Sequence, residues 1–359
     1  MNQITQKTET KHLGLMRNNK NKENIEDRLK IARRTVYALL GPGLHARKGM
    51  SPIVSAKLWQ TYVIPRSLYG IEVLNYTKTD ILKFEKLQLK ICRQIQGLPN
   101  RTANAAVYIL LGLEPIQSVV DRLLLTFFGC IIQDEDSIEY RIVERQLQMP
   151  SENINTFVNS LKAVLHKYGL PKPDELLETV PTKQQWKITV KDATQKYWEE
   201  KWEKEKSEKS TMKFLDIKKK SIGNPHKIWN LAPKTTLEVR KAGVKAKLIT
   251  RTYTLQSDKA KFTKTRRMRY APMICPSLKS VRDRHLSVLM KYVANNFGND
   301  IFSKIENKGL TIQFLLDSSS VKLQHIVKFK TENHRDIENM TRILCFGMHT
   351  RRSSILKNR

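Results

Sequence analysis

Thr79-Asp80-Ile81-Leu82-Lys83-Phe84-Glu85-Lys86-Leu87-Gln88-Leu89-Lys90-Ile91-Cys92-Arg93-Gln94-Ile95-Gln96-Gly97-Leu98-Pro99 carries both the fold class and the functional question. Ile81, Phe84, Leu87, Ile91 and Ile95 recur at helical spacing and make one apolar face. At about 100° per residue, Lys83, Lys86, Lys90 and Arg93 fall nearly opposite that face. Thr79 or Asp80 can cap the start, and Gly97-Leu98-Pro99 ends the run. The spacing therefore predicts a helix that packs inward and turns four cations outward. Glu85 is the acid that interrupts the stripe. An ordinary solvated face and a phosphate-contacting face both fit this pattern.

The neighbouring stretches repeat the helical signal. Ile25, Leu29, Ala32, Val36 and Leu39 share one face of an earlier helix, which also carries Lys30, Arg33 and Arg34 and is broken by Gly41-Pro42-Gly43. Ser51-Pro52 reads as a cap with proline at the first helical position, opening a helix through Val54, Leu58 and Tyr62 that should stop before Pro65. His12-Leu13-Gly14-Leu15-Met16 is a strand candidate. Downstream, Asn104–Leu111 is a short helix closed by Gly112. Pro115 opens a helix so apolar around Leu123–Phe128 that it should be buried and central. Residues 23–133 thus read as one helical unit.

Helical signals return at Ile138–Leu147 and Ile154–Tyr168, and Gly169-Leu170-Pro171-Lys172-Pro173 has linker composition. Lys183–Lys209 is a long charged helix whose narrow stripe is predicted at Trp186, Val190, Ala193 and Tyr197, with Trp198 and Trp202 packing rather than stacking on bases. Leu237–Thr250, Leu278–Phe297 and Glu332–Met348 also read as helices, and Thr311–Leu316 fits a strand or a short helix. The fold class is mainly α.

Lys and Arg number 65 against 34 Asp and Glu, a formal charge of +31. Such an excess spread along a chain points to a polyanion, with nucleic acid ahead of an anionic membrane. No apolar run approaches a membrane span, and residues 1–11 are polar without the apolar core of a secretory signal. Cys92, Cys130, Cys275 and Cys345 are too far apart for a zinc site or a disulfide framework and suit reduced intracellular thiols. The densest positive patches are Lys218–Lys220 and the cluster of Lys264, Arg266, Arg267 and Arg269, suited to phosphate or to nuclear import.

Chemistry-bearing motifs are missing. There is no G-x-G-x-x-G, P-loop, G-x-S-x-G or H-E-x-x-H pattern, and no paired aspartates on a predicted strand. Asp134-Glu135-Asp136 fits a solvated turn better than a metal site. The residues alone point to a helical, basic binding protein, with no cofactor, metal, membrane contact or small-molecule substrate expected.

Four blocks in order carry a resemblance: Lys11-His12-Leu13-Gly14-Leu15, Pro65-Arg66-Ser67-Leu68-Tyr69-Gly70-Ile71-Glu72, Gln96-Gly97-Leu98-Pro99 and Leu111-Gly112-Leu113-Glu114-Pro115. Their succession resembles the C-terminal part of non-LTR (LINE-type) retrotransposon reverse transcriptases. In that family the first block follows the polymerase palm and the helices beyond it form the thumb. The resemblance implies a palm-to-thumb remnant at 1–20, a thumb-like helical bundle at 21–170, a looser basic helical segment at 174–270 and a C-terminal helical segment at 271–359.

Lys247–Gln256 is similar to the lead-in of the family's zinc knuckle, and Cys275-Pro276-Ser277-Leu278 to its exit, with Cys275 at the last ligand. Leu344-Cys345-Phe346 through Arg351-Arg352-Ser353 resembles its terminal helix. Between Phe262 and Cys275 there is no other cysteine and no histidine, so three of the four knuckle ligands are missing. No stretch corresponds to the fingers and palm, so no catalytic residue carries over and no polymerase activity is expected. A thumb is expected to contact the backbone of an RNA or DNA duplex, and the stripe geometry and the charge of +31 point to Lys30, Arg33, Arg34, Lys83, Lys86, Lys90 and Arg93 for that contact, with Lys264, Arg266, Arg267 and Arg269 as a further basic patch. Two rival expectations are a decayed transposon reading frame without selected function and a helical scaffold for proteins.

Overall fold

In a computed structural model that describes residues 10–17, 22–44, 50–74, 76–149, 156–217, 221–232, 235–253, 276–327 and 331–357, the chain is mainly α-helical. Two strands, β1 (Thr10–His12) and β2 (Leu15–Arg17), precede α1 (Lys22–Leu40), α2 (Pro52–Leu58), α3 (Ile64–Ser67), α4 (Lys78–Gln96), α5 (Asn104–Leu111) and α6 (Ile116–Ile131). Then come α7 (Ile138–Gln148), α8 (Phe157–Tyr168), α9 (Pro173–Glu178), α10 (Lys183–Glu208), α11 (Lys227–Asn230) and α12 (Thr236–Ile249). The last are α13 (Pro276–Phe297), α14 (Ile301–Asn307), α15 (Thr311–Leu316), α16 (Val321–Gln324) and α17 (Thr331–Lys357). Residues 1–42, 57–91 and 114–201 form one unit, and 43–56, 92–113 and 202–359 form another.

In the first unit, Ile25 and Leu29 of α1 meet Leu68, Ile71, Ile81, Phe84, Ile116, Val119 and Val120 in one buried cluster. Removing each such side chain from water is worth about 1.5–3 kcal/mol, which is what holds the short helices around it. The strand expected at His12–Met16 is instead the corner of an antiparallel hairpin, pairing Thr10 with Arg17 and His12 with Leu15. Leu13 and Gly14 turn it with φ of 47° and 82°, the positive pair that a tight two-residue turn requires. Asn24 fixes the hairpin by accepting from Met16 N–H (2.7 Å) and donating to Met16 C=O (2.8 Å). Arg28 donates to Gly14 C=O at 2.7 Å and lies 4.9 Å over the Tyr69 ring. Gly70 has φ of 75°, and a Cβ there would come within 2.8 Å of Leu15. The Pro65–Glu72 stretch is therefore the seat of the hairpin, with Leu68 buried and Tyr69 half exposed.

Pro65 does not stop the preceding helix. A π-helical turn at Trp59–Val63 shifts the register so that Ile64 N–H bonds Trp59 C=O, and α3 then runs through Pro65. The wider turn accommodates a ring that would clash with the carbonyl four residues back. Further along, α6 is largely buried, as its apolar character predicts, with Cys130 exposed near its end. Its Asp121 is 1% exposed and accepts from Lys167 Nζ (2.6 Å), Tyr168 Oη (2.7 Å) and Gln117 Nε2 (2.7 Å). Burial, then the Asp121 charge, pushes the Tyr168 and Tyr76 phenols up. The inward stripe of α10 is Trp186, Val190, Thr194 and Trp198, a strict four-residue step, rather than the line through Ala193 and Tyr197. Residues 169–172 form the turn between α8 and α9.

In the second unit, α5 is buried along its length and closes at Gly112 (φ 67°), where a Cβ would strike the Asn224–Pro225 backbone. Trp202 is buried and stacks with Tyr108. Gln96 ties the unit together, donating to Val107 C=O (3.1 Å) and accepting from Trp229 Nε1 (3.1 Å). Leu289, Val293, Phe302, Ile305, Phe314, Leu323 and Ile337 form its second core, built by α13–α17. Thr311–Leu316 is helical. Against α17, α12 makes a charged seam: Lys245 with Glu338, and Arg342 with Glu238.

Candidate nucleic-acid interface

The seven cations on α1 and α4 separate into two kinds. Lys30, Arg33 and Arg34 are exposed, as are Lys86 and Lys90, and none of the five has an ion pair among the described residues. Lys83 is half-buried and sits 2.9 Å from Asp80. Hydrogen bonds from Thr77 and Lys83 outweigh burial and hold the Asp80 carboxyl below its usual value. Such a pair is worth little and opens readily to a stronger anion. Arg93 is committed elsewhere: its Nη2 donates to Thr102 C=O (2.9 Å) and Asn104 Oδ1 (2.5 Å). It holds the start of α5 and is not a free cation, which separates it from the stripe predicted from sequence.

Glu85, the acid interleaved in the stripe, is a capping group. Its carboxylate accepts from Ile116 N–H at 2.8 Å, capping α6, where the helix dipole favours a negative charge. Gln88, on the inner side of α4, accepts from Trp59 Nε1 (2.8 Å) and donates to Glu114 C=O (2.8 Å). Polar groups of the buried face are thus internally paired, and Lys86 and Lys90 are left to solvent. On α1 the free cations lie after Glu23, Glu26 and Asp27, so the acidic and basic parts of that helix are separated along its length.

Lys218–Lys220, Lys264, Arg266, Arg267, Arg269 and Cys275 lie outside the described residues. Cys92, Cys130 and Cys345 form no disulfide among the described residues, and burial pushes Cys345 up to about 11. Among the described residues no three His, Cys, Asp or Glu side chains converge to hold a metal ion, and no helix is long and apolar enough to cross a membrane.

His226, Asp317 and Ser319 are near one another but lack the order of a nucleophilic triad. His226 Nδ1 accepts from Ile228 N–H (3.2 Å), which leaves the ring proton on Nε2, 3.3 Å from Asp317 Oδ2. The Ser319 hydroxyl donates to Asp317 (2.6 Å) rather than to the imidazole. All three are buried, and their hydrogen bonds tie the loop after α15 to the start of α11.

The second unit also encloses an open space beside α12 and α17. A cavity of about 810 Å³ is bounded by Trp229, by Arg240, Gly243 and Lys247 of α12, and by Phe346 and His349 of α17. Arg240 and Lys247 lie seven residues apart, two helical turns, and that spacing was the available signal.

Compared with protein-family models, with curated proteins and with solved structures, the chain finds no match in any of the three.

Proposed function

We propose that this protein is a non-catalytic, reverse-transcriptase-derived, thumb-like chain that binds the phosphate backbone of an RNA or DNA duplex. The observation that carries the proposal is the unpaired set Lys30, Arg33, Arg34, Lys86 and Lys90, with the one interleaved acid of α4 turned inward to cap α6. A net charge of +31 supports it. Contacts of this type position a duplex without reading its sequence. Lys83 joins the set when its weak pair with Asp80 opens, whereas Arg93 is a structural anchor.

Fluorescence anisotropy with a labelled duplex at low salt tests the proposal. The five-fold Gln variant at Lys30, Arg33, Arg34, Lys86 and Lys90 is expected to bind at least tenfold more weakly than the parent, with unchanged helical content. Equal affinity in a folded variant would remove these residues from the interface.

A further inference from the structure

The two long faces of α12 are charged in different ways. Towards α17, Glu238 meets Lys241 (2.6 Å) and Arg342 (3.0 Å), and Lys245 meets Glu338 (2.7 Å). Each cation there has a carboxylate. Towards the cavity, Arg240 and Lys247 have no ion pair among the described residues, and no carboxylate of those residues lines the wall. Lys247 is half-buried, and burial lowers its pKa. Across from it, His349 accepts or donates at Tyr253 Oη (2.7 Å). Burial, followed by the charges of Lys247, Arg352 and Arg240, lowers its pKa too. Three basic groups therefore surround one cavity with no anion among them. The rest of the wall is mostly apolar, with Gln96 and Thr236 its polar members, the Phe346 ring lining it and the Trp229 indole edge near Gly243.

Lys247 is half-buried and Arg240 is exposed at the cavity's edge, and repulsion between these unmatched cations is relieved by an anion that arrives from outside. A carboxylate brings one charge; a phosphate monoester brings about two and three acceptor oxygens. Apolar and aromatic walls add affinity for a flat ring attached to that anion. We propose that the cavity binds a nucleotide monoester, its phosphate between Arg240 and Lys247 and its base against Phe346 and the Trp229 edge. The ligand is either a free nucleotide or the 5′-phosphorylated end of a strand, which share this chemistry. No glycine-rich turn is involved; side-chain cations replace the backbone cradle. This site belongs to the second unit and stands or falls apart from the duplex face of α1 and α4.

Calorimetric titration of the full chain with AMP, adenosine and inorganic phosphate tests it. AMP is expected to bind at least tenfold more tightly than either adenosine or phosphate. Arg240→Gln and Lys247→Gln should each weaken AMP at least tenfold, and Gly243→Leu, which projects into the cavity, should abolish binding. Lys241→Gln makes the same charge change on α12 away from the cavity lining and should leave AMP affinity within twofold. Displacement of bound AMP by a 5′-phosphorylated single strand, but not by its 5′-hydroxyl counterpart, assigns the site to strand ends. Displacement by neither assigns it to free nucleotide. No AMP binding at millimolar concentration, equal affinity for AMP and adenosine, or undiminished binding in folded Lys247→Gln overturns the proposal.

Discussion

Lys245→Met tests whether the charged seam between α12 and α17 is a matched pair in a dry place. Lys245 is fully buried, its ammonium 2.7 Å from Glu338 Oε2 and 2.7 Å from Thr341 Oγ1. Methionine keeps most of the aliphatic stem, so little cavity opens. What remains is a carboxylate, 3% exposed, without its cation. Breaking one side of a buried ion pair costs about 3–5 kcal/mol. For a unit of 150–250 residues, roughly 2–4 °C per kcal/mol converts this into a fall in Tm of roughly 6–20 °C. Glu338 Oε1 is already buried without a hydrogen-bond partner among the described residues, so the pair is incompletely compensated even when intact. The double variant Lys245→Met/Glu338→Leu should therefore recover most of the loss, within about 1 kcal/mol of the parent or above it. Differential scanning calorimetry of the parent, both single variants and the double closes the cycle. A single-variant loss under about 1 kcal/mol, or a double no better than Lys245→Met alone, would refute the reasoning.

Three further perturbations have defined outcomes. A Cβ at Gly129 would overlap the buried Trp186 ring, which is pinned by its bond to Leu125 C=O (2.7 Å). Gly129→Ala should cost about 3 kcal/mol in overpacking against about 1 kcal/mol of helix propensity gained, a net loss near 2 in urea denaturation; a stabilised variant would contradict the packing. Because His349 is held below its ordinary value of 6.5, the folded chain resists protonation that the unfolded chain accepts. Its contribution is complete above about pH 6.5 and is lost as pH falls towards the depressed folded value, so His349→Asn should show a smaller Tm drop between about pH 7.5 and 5.5 than the parent; equal drops count against it. Arg93→Gln should lower stability by about 1–3 kcal/mol through the lost hold on Thr102 and Asn104, while Lys90→Gln stays within about 0.5; thermal melts of the two variants separate an anchor from a free cation.

Much of the helical layout could be read from sequence because its causes are local. Apolar spacing placed α1, α4, α12 and α17, and Gly112 and Gly169 ended α5 and α8 where a left-handed residue is needed. The hairpin escaped because Leu13, a residue that seldom takes positive φ, stands where a tight turn usually has Asn or Gly. Pro65 misled because the π-helical turn that accommodates it leaves no mark in the apolar period. Arg93 looked like its neighbours in the stripe; only the fold brings Thr102 and Asn104 to it. Glu85 was the reverse, an apparent blemish that caps a helix 31 positions away. The cavity left only the Arg240 and Lys247 spacing as a local trace, since its other walls come from residues near 96, 229 and 349.

The most direct measurement is the salt dependence of duplex binding for the parent and the five-fold Gln variant. Each phosphate contact contributes roughly 0.9 to the slope of log K against log salt on DNA. If Lys30, Arg33, Arg34, Lys86 and Lys90 all face the backbone, the parent's slope should be steeper by about 4–5. Parallel slopes, with both proteins binding or neither binding, would contradict a duplex face on α1 and α4.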